Sequence, residues 1–107
     1  IFIMNADGSN KQQVTNNGAS NFSPFFHPDG HRVIFASNVE TRNATGRPEF
    51  HLYLVNEDGS AQERLTFDGQ FNSFPMFSPD GKMVVWVSDR HAKEPGEFNV
   101  FLADWVP

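Results

Sequence analysis

Four Asp-Gly pairs (Asp7-Gly8, Asp29-Gly30, Asp58-Gly59 and Asp80-Gly81) and four histidines (His27, His31, His51 and His91) are the residues of this 107-residue chain that first suggest chemistry. Carboxylates beside glycine can build a calcium loop, but such a loop needs oxygen ligands in dense alternation over about twelve residues. Here each Asp-Gly stands alone and recurs at a fixed place in a repeat, so tight-turn formation is the expectation. The histidines show neither an i,i+4 pair nor an HExxH motif. Three of them, His27, His31 and His51, are replaced in the other repeat copy by Ser78, Lys82 and Asn99. A metal site would not be distributed in that way, so no metal and no cofactor is expected. Serines are plentiful, yet none sits in a Gly-x-Ser-x-Gly elbow. The chain has no cysteine, which excludes disulfides and thiol catalysis. No catalytic residue is assigned, and the chain is read as non-enzymatic, with any catalytic domain outside it.

These residues are positioned by a repeat. The stretch from Phe22 through Pro24, Pro28-Asp29-Gly30 and Ser37 returns without a gap from Ser73 through Pro75, Pro79-Asp80-Gly81 and Ser88, at an offset of 51 residues. Upstream, Asn5, Asp7, Gly8 and Ser9 pair with Asn56, Asp58, Gly59 and Ser60, and Thr15 pairs with Thr66, at the same offset. A third copy begins where Glu97-Phe98-Asn99-Val100-Phe101-Leu102 matches Glu49-Phe50-His51-Leu52-Tyr53-Leu54, 48 residues on. Periods of about 40 to 50 residues mark propeller blades and similar arrays, whose units bury their apolar faces only against neighbours. A chain of about two periods is short for such an array, so a piece of a larger ring, or a chain completed by other copies, is expected.

Each unit offers four short strands joined by turns, the pattern of a four-stranded antiparallel blade. Strands are expected over residues 1–5, 11–15, 21–27, 32–37, 51–56, 63–66, 72–78, 83–88 and 100–106. Pro24 and Pro28 cannot donate to a ladder, so the segment 21–27 should be short and irregular at its ends. Residues 83–88 are apolar almost without alternation, as expected of a strand covered on both faces. The fold class is therefore all-β: a β-propeller fragment of about two four-stranded antiparallel blades, with residues 1–15 ending one blade, 21–66 forming a complete one and 72–106 most of a third.

The net charge of −5 and the scattered Lys and Arg residues argue against a nucleic-acid surface. The longest apolar run, residues 83–87, is too short to span a bilayer. Neither nucleic acid nor membrane insertion is expected.

The run Asn56, Asp58, Gly59, Ser60, Leu65, Thr66, Pro75, Phe77, Pro79, Asp80, Gly81, Ser88, Asp89 and Arg90 resembles the repeats of TolB-type β-propellers. The first copy departs from the pattern with Ser37-Asn38-Val39 in place of Ser88-Asp89-Arg90. The resemblance implies a ring that is commonly six-bladed, with residues 21–27 and 72–78 as the innermost strands. It also implies a scaffold in the bacterial periplasm or outside the cell that binds a protein partner. Related repeats form gates on serine peptidases of the prolyl oligopeptidase type, so an accessory domain of a hydrolase is the alternative. A third possibility is self-assembly, with residues 11–15 of one copy completing the last blade of the next. In propellers the connecting loops gather at one end of the channel, so residues 16–22, 38–49, 67–73 and 89–97 should share a surface. Asn21, Asn72, Arg42, Arg47, Arg90, His91 and Lys93 are the candidate binding residues there.

Overall fold

The computed structural model describes residues 1–39 and 46–106, and among these described residues short runs of β-branched and aromatic residues between Asp-Gly turns fold into nine strands. They are β1 (Phe2–Ile3), β2 (Gln12–Gln13), β3 (Asn21–Phe26), β4 (Arg32–Ser37), β5 (His51–Asn56), β6 (Glu63–Arg64), β7 (Asn72–Phe77), β8 (Met83–Ser88) and β9 (Asn99–Asp104). They form a two-stranded sheet β1-β2, a four-stranded sheet β3-β4-β5-β6 and a three-stranded sheet β7-β8-β9, with every strand pairing antiparallel. The expected all-β architecture is what the chain adopts. Among the described residues no helix is long and apolar enough to cross a membrane, which says nothing of β-barrels.

The turns are built by the residues the repeat singled out. In the first, Asp7 Oδ1 accepts the Ser9 N–H at 2.9 Å and Gly8 stands at φ +88°; Asp58, Ser60 and Gly59 repeat the arrangement with the same 2.9 Å and +88°. In the Pro-Asp-Gly turns Asp29 and Asp80 accept from the backbone of His31 and Lys82 at 2.8 and 3.0 Å. Those bonds favour the ionised carboxylate. The His31 backbone bond, helped by Arg32 and His27, pulls the Asp29 pKa down to about 2.

Two strands break their register, and not where the prolines suggested. The irregularity in β3 and β7 falls in mid-strand, between Phe22 and Phe25 and between Ser73 and Met76. Pro24 and Pro75 remove a ladder donor there, and the residues before them, Ser23 (φ +50°) and Phe74 (φ +54°), take left-handed backbone. The two bulges meet: Ser23 Oγ lies 3.0 Å from Ser73 Oγ and accepts the Phe74 N–H at 3.2 Å.

Packing follows the pleat. Val33 and Phe35 of β4, with Tyr53 and Val55 of β5, bury against Ile1, Ile3 and Val14 of the first sheet. The alternate residues Ile34, Ala36, Leu52 and Leu54 bury against Phe77, Val84 and Trp86 of the third. The middle sheet is thus covered on both faces, and each large side chain so buried contributes roughly 1.5–3 kcal/mol. In β8 only one face is covered: Val84 and Trp86 are buried, while Met83, Val85 and Val87 are not. The continuous apolar run of β8 therefore does not mean burial on both sides here, because the face it shares with Val100 and Leu102 meets no described sheet.

Candidate functional site at the loop end of the sheets

The strand register gathers polar residues at one end of the blades. Asn21 is opposite Ser37, which is opposite His51; in the next sheet Asn72 is opposite Ser88, which is opposite Asn99. The connecting loops begin and end on these rows.

Asn72 is the centre of the arrangement. Its side chain is fully buried, donates to the carbonyls of Asp68 (3.0 Å) and Phe50 (3.2 Å), and accepts the indole N–H of Trp86 at 3.2 Å. A candidate contact residue on the sequence reading, it cannot meet a partner, since no atom of it reaches solvent; it positions the rim instead. Beside it His51 is also fully buried. The Thr66 hydroxyl accepts the Leu52 N–H at 2.9 Å, leaving its own proton for His51 Nδ1 at 3.0 Å, and Asn72 Nδ2 lies 3.3 Å from the same nitrogen. Nδ1 is therefore the acceptor, and Nε2–H donates to Glu49 at 3.1 Å. Burial lowers the pKa of His51 below the ordinary histidine value, against the opposing pull of Glu49.

The loops are held by a second device. Asp89 Oδ1 accepts the N–H groups of Gln70 (2.8 Å) and Phe71 (3.1 Å), tying the loop that enters β7 to the one that leaves β8. Asn38 does the same at the equivalent place, accepting from Ser20 at 2.9 Å. The first copy thus keeps the clamp despite losing the aspartate, because an amide oxygen accepts as a carboxylate does. What it loses is the arginine, which is replaced by Val39.

The other sequence candidates fall as follows. Asn21 is half-buried and joined to Asn17 by two bonds of 3.0 and 3.1 Å. Arg47, His91 and Lys93 are exposed, His91 in left-handed backbone at φ +60°. Arg90 is half-buried, with its Nη2 3.6 Å from Asp68. Arg42 lies outside the described residues. Residues 68–70 and 89–92 line one open, polar cavity of about 390 Å³. The sequence reading missed the aromatic side of this end. Phe22 packs edge-on against Phe50 (5.2 Å) and near Phe74 (6.4 Å), and Phe71 packs against Phe50 (5.7 Å) and Phe98 (5.3 Å). Phe74 and Phe98 remain 55% and 50% exposed. The match of Phe50 with Phe98 at the repeat offset was the available signal.

Three sheets with inner strands converging at Ser23 and Ser73, and loops clamped by an Asx residue in each repeat, are the geometry of propeller blades. The family model of the TolB beta propeller domain matches residues 1–104. The chain belongs to the TolB β-propeller family. It is similar to a solved structure described as TolB from Agrobacterium tumefaciens, with 30% identity, a TM-score of 0.76, and 96% of this chain and 36% of that one covered. TolB from Acinetobacter baumannii has the same fold at 22% identity, a TM-score of 0.70, and 97% and 23% coverage. Among curated proteins it is 31% identical over 88 residues to an uncharacterised protein of Agrobacterium fabrum, covering 82% of this chain and 28% of that one. It is also 28% identical over 90 residues to dipeptidyl-peptidase 5 of Porphyromonas endodontalis, covering 83% of this chain and 12% of the peptidase. The chain thus spans between about an eighth and a third of the length of these relatives.

Proposed function

We propose that this TolB-type propeller segment is a non-catalytic scaffold that binds a protein partner through the loop end of its blades, in a bacterial envelope or outside the cell. The observation that carries this reading is the anchoring of the rim. Asn72, Asp89 and Asn38 fix the loop backbones from within and His51 holds the Glu49 side chain, so exposed Arg47, His91 and Lys93 and half-exposed Phe74 and Phe98 are presented on a pre-organised surface. Aromatic and arginine side chains are those that dominate protein interfaces. Asn21 and Arg90 complete the proposed contact set, Asn72 supports it from below, and Arg42 belongs to it by its place in the loop.

Site-specific photo-crosslinkers test this. Placed at His91 or Lys93, they should trap one discrete partner in cells of the source organism, whereas crosslinkers at Asp7 or Asp29, in the turns at the other end, should trap none. Equal trapping from both ends refutes a loop-end partner.

The likeness to dipeptidyl-peptidase 5 favours a second reading, in which the propeller serves a hydrolase domain on the same polypeptide. The coding sequence decides between them: a following domain with a Gly-x-Ser-x-Gly elbow supports the second reading, and an envelope propeller without one supports the first.

A further inference from the structure

The chain holds one Asn-Gly pair, Asn17-Gly18, in the loop that enters β3. An asparagine followed by glycine can react with its own backbone, because the glycine nitrogen can attack the side-chain carbonyl carbon with no Cβ in the way. The rate depends on how the amide is held and on how free that nitrogen is.

The fold sets both. Ala19 N–H donates to Asn17 Oδ1 at 3.0 Å, closing a ring that includes the Gly18 nitrogen. Asn21 Nδ2 donates to the same oxygen at 3.0 Å and to the Ala19 carbonyl at 3.1 Å, while Asn17 Nδ2 donates to Asn21 Oδ1 at 3.1 Å. The backbone of Ala19 fixes the orientation of both amides, since its N–H can only donate and its carbonyl can only accept. Two N–H groups therefore point at Asn17 Oδ1, at the distance that stabilises an oxyanion when the neighbouring carbon is attacked. The Gly18 nitrogen makes no hydrogen bond among the described residues. Gly18 is exposed, and a Cβ built on it would meet nothing within 4 Å.

The second copy shows the contrast. There the pair is Asp68-Gly69, and the acid is already in place. Gly69 is enclosed, with a Cβ falling 2.7 Å from Asp89 Oδ1 and 3.2 Å from the Arg90 nitrogen. Asn72, the counterpart of Asn21, is held by the backbone carbonyl of Asp68 and not by its side chain. Only the first copy ties its asparagine through a labile amide.

We propose that Asn17-Gly18 is a site of self-catalysed modification, at which the folded loop converts its own asparagine to a succinimide and then to aspartate and isoaspartate. The Gly18 nitrogen gives its proton to water and bonds to Asn17 Cγ; the Cγ–Nδ2 bond breaks, and the amide nitrogen leaves as ammonia. Water then adds at Cγ to give aspartate, or at the main-chain carbonyl of residue 17 to give isoaspartate. Overall water is consumed and ammonia released, with no oxidant or cofactor. Either product lacks the Nδ2–H that Asn21 Oδ1 accepts, and isoaspartate also inserts a methylene into the loop backbone. The inference does not depend on the partner reading above, because its readout is chemical.

The test is to incubate the 107-residue protein and a synthetic peptide of residues 12–32 side by side at neutral pH. Trypsin, which cuts after Lys11 and Arg32, releases the same peptide from the protein, and tandem mass spectrometry reads residue 17 against a zero-time digest. Asn17 should convert while Asn16 and Asn21 remain amides, and it should convert faster in the folded protein than in the peptide. Enzymatic methylation should detect isoaspartate among the products. Asn21→Ala, which removes one donor from Oδ1, should slow the conversion several-fold. Circular dichroism reports whether that variant is folded, and if it is not, the comparison of protein with peptide alone decides. Slower conversion in the protein than in the peptide, an unchanged rate in folded Asn21→Ala, or earlier loss of another amide overturns the proposal.

Discussion

Asn72 serves two carbonyls and one indole from a position with no exposure, so its truncation leaves the buried Trp86 indole N–H without an acceptor and the Asp68 carbonyl without that donor, while the Phe50 carbonyl keeps the backbone N–H of residue 72. Each such group costs about 1–3 kcal/mol. Asn72→Ala should therefore lower the unfolding free energy by roughly 2–4 kcal/mol in urea denaturation, while Asn21→Ala, at the half-buried equivalent place, costs less. Equal losses would show that burial is not what distinguishes them. His51 gives a pH signature. Its folded pKa lies below the ordinary 6.5, so the unfolded chain takes up the proton first as pH falls. Its contribution is complete above that value, declines as pH drops through 6.5 towards the folded pKa, and stays lost below it. His51→Gln should flatten the stability profile between about pH 7 and pH 5 relative to the native protein. An unchanged slope would place the titration elsewhere.

At the scale of the element, the repeated turns provide matched pairs that differ only in their neighbours. Gly8 and Gly59 both stand at φ +88°, but a Cβ on Gly8 would meet nothing within 4 Å, whereas one on Gly59 would sit 2.6 Å from the Val14 carbonyl oxygen. Left-handed backbone alone costs an L-residue about 1–2 kcal/mol. Gly8→Ala should show that cost in thermal or chemical unfolding, and Gly59→Ala should exceed it, because backbone of the preceding sheet must give way as well. If the two variants lose equal stability, the close approach of Gly59 to Val14 is not a firm contact. The paired bulges at Ser23 and Phe74 show the complementary lesson. The sequence reading put the irregularity at the strand ends, but Pro24 and Pro75 break the ladder in mid-strand, and the two bulges meet there through Ser23 and Ser73.

For the whole molecule, stability resides between sheets and not within them. Leu54 and Leu102 occupy equivalent places in β5 and β9, yet Leu54 is 7% exposed and Leu102 66%. Leu54→Glu places a charge between the second and third sheets and should unfold the chain or cost more than about 3 kcal/mol. Leu102→Glu should leave circular dichroism and the unfolding midpoint of the 107-residue chain nearly unchanged. Comparable damage from both substitutions would mean that the Val100 and Leu102 face is covered in solution.

The repeat at an offset of 51 residues, read from the sequence alone, was enough to identify blades, their turns, most strand limits and the all-β class. Turn residues and alternation act over a few neighbours, so one chain segment carries the whole signal. The loop rim was legible as a place, through the pairing of 67–73 with 89–97, but the roles within it were not. That Asn72 supports from within while His91 and Lys93 face water, that Asn38 can stand in for Asp89, and that Arg90 lines a cavity where its counterpart Val39 is buried in a core were decided only when sheets packed on sheets. Burial belongs to the neighbour as much as to the residue, and two positions with the same local sequence pattern differ as soon as one has a sheet across from it and the other does not.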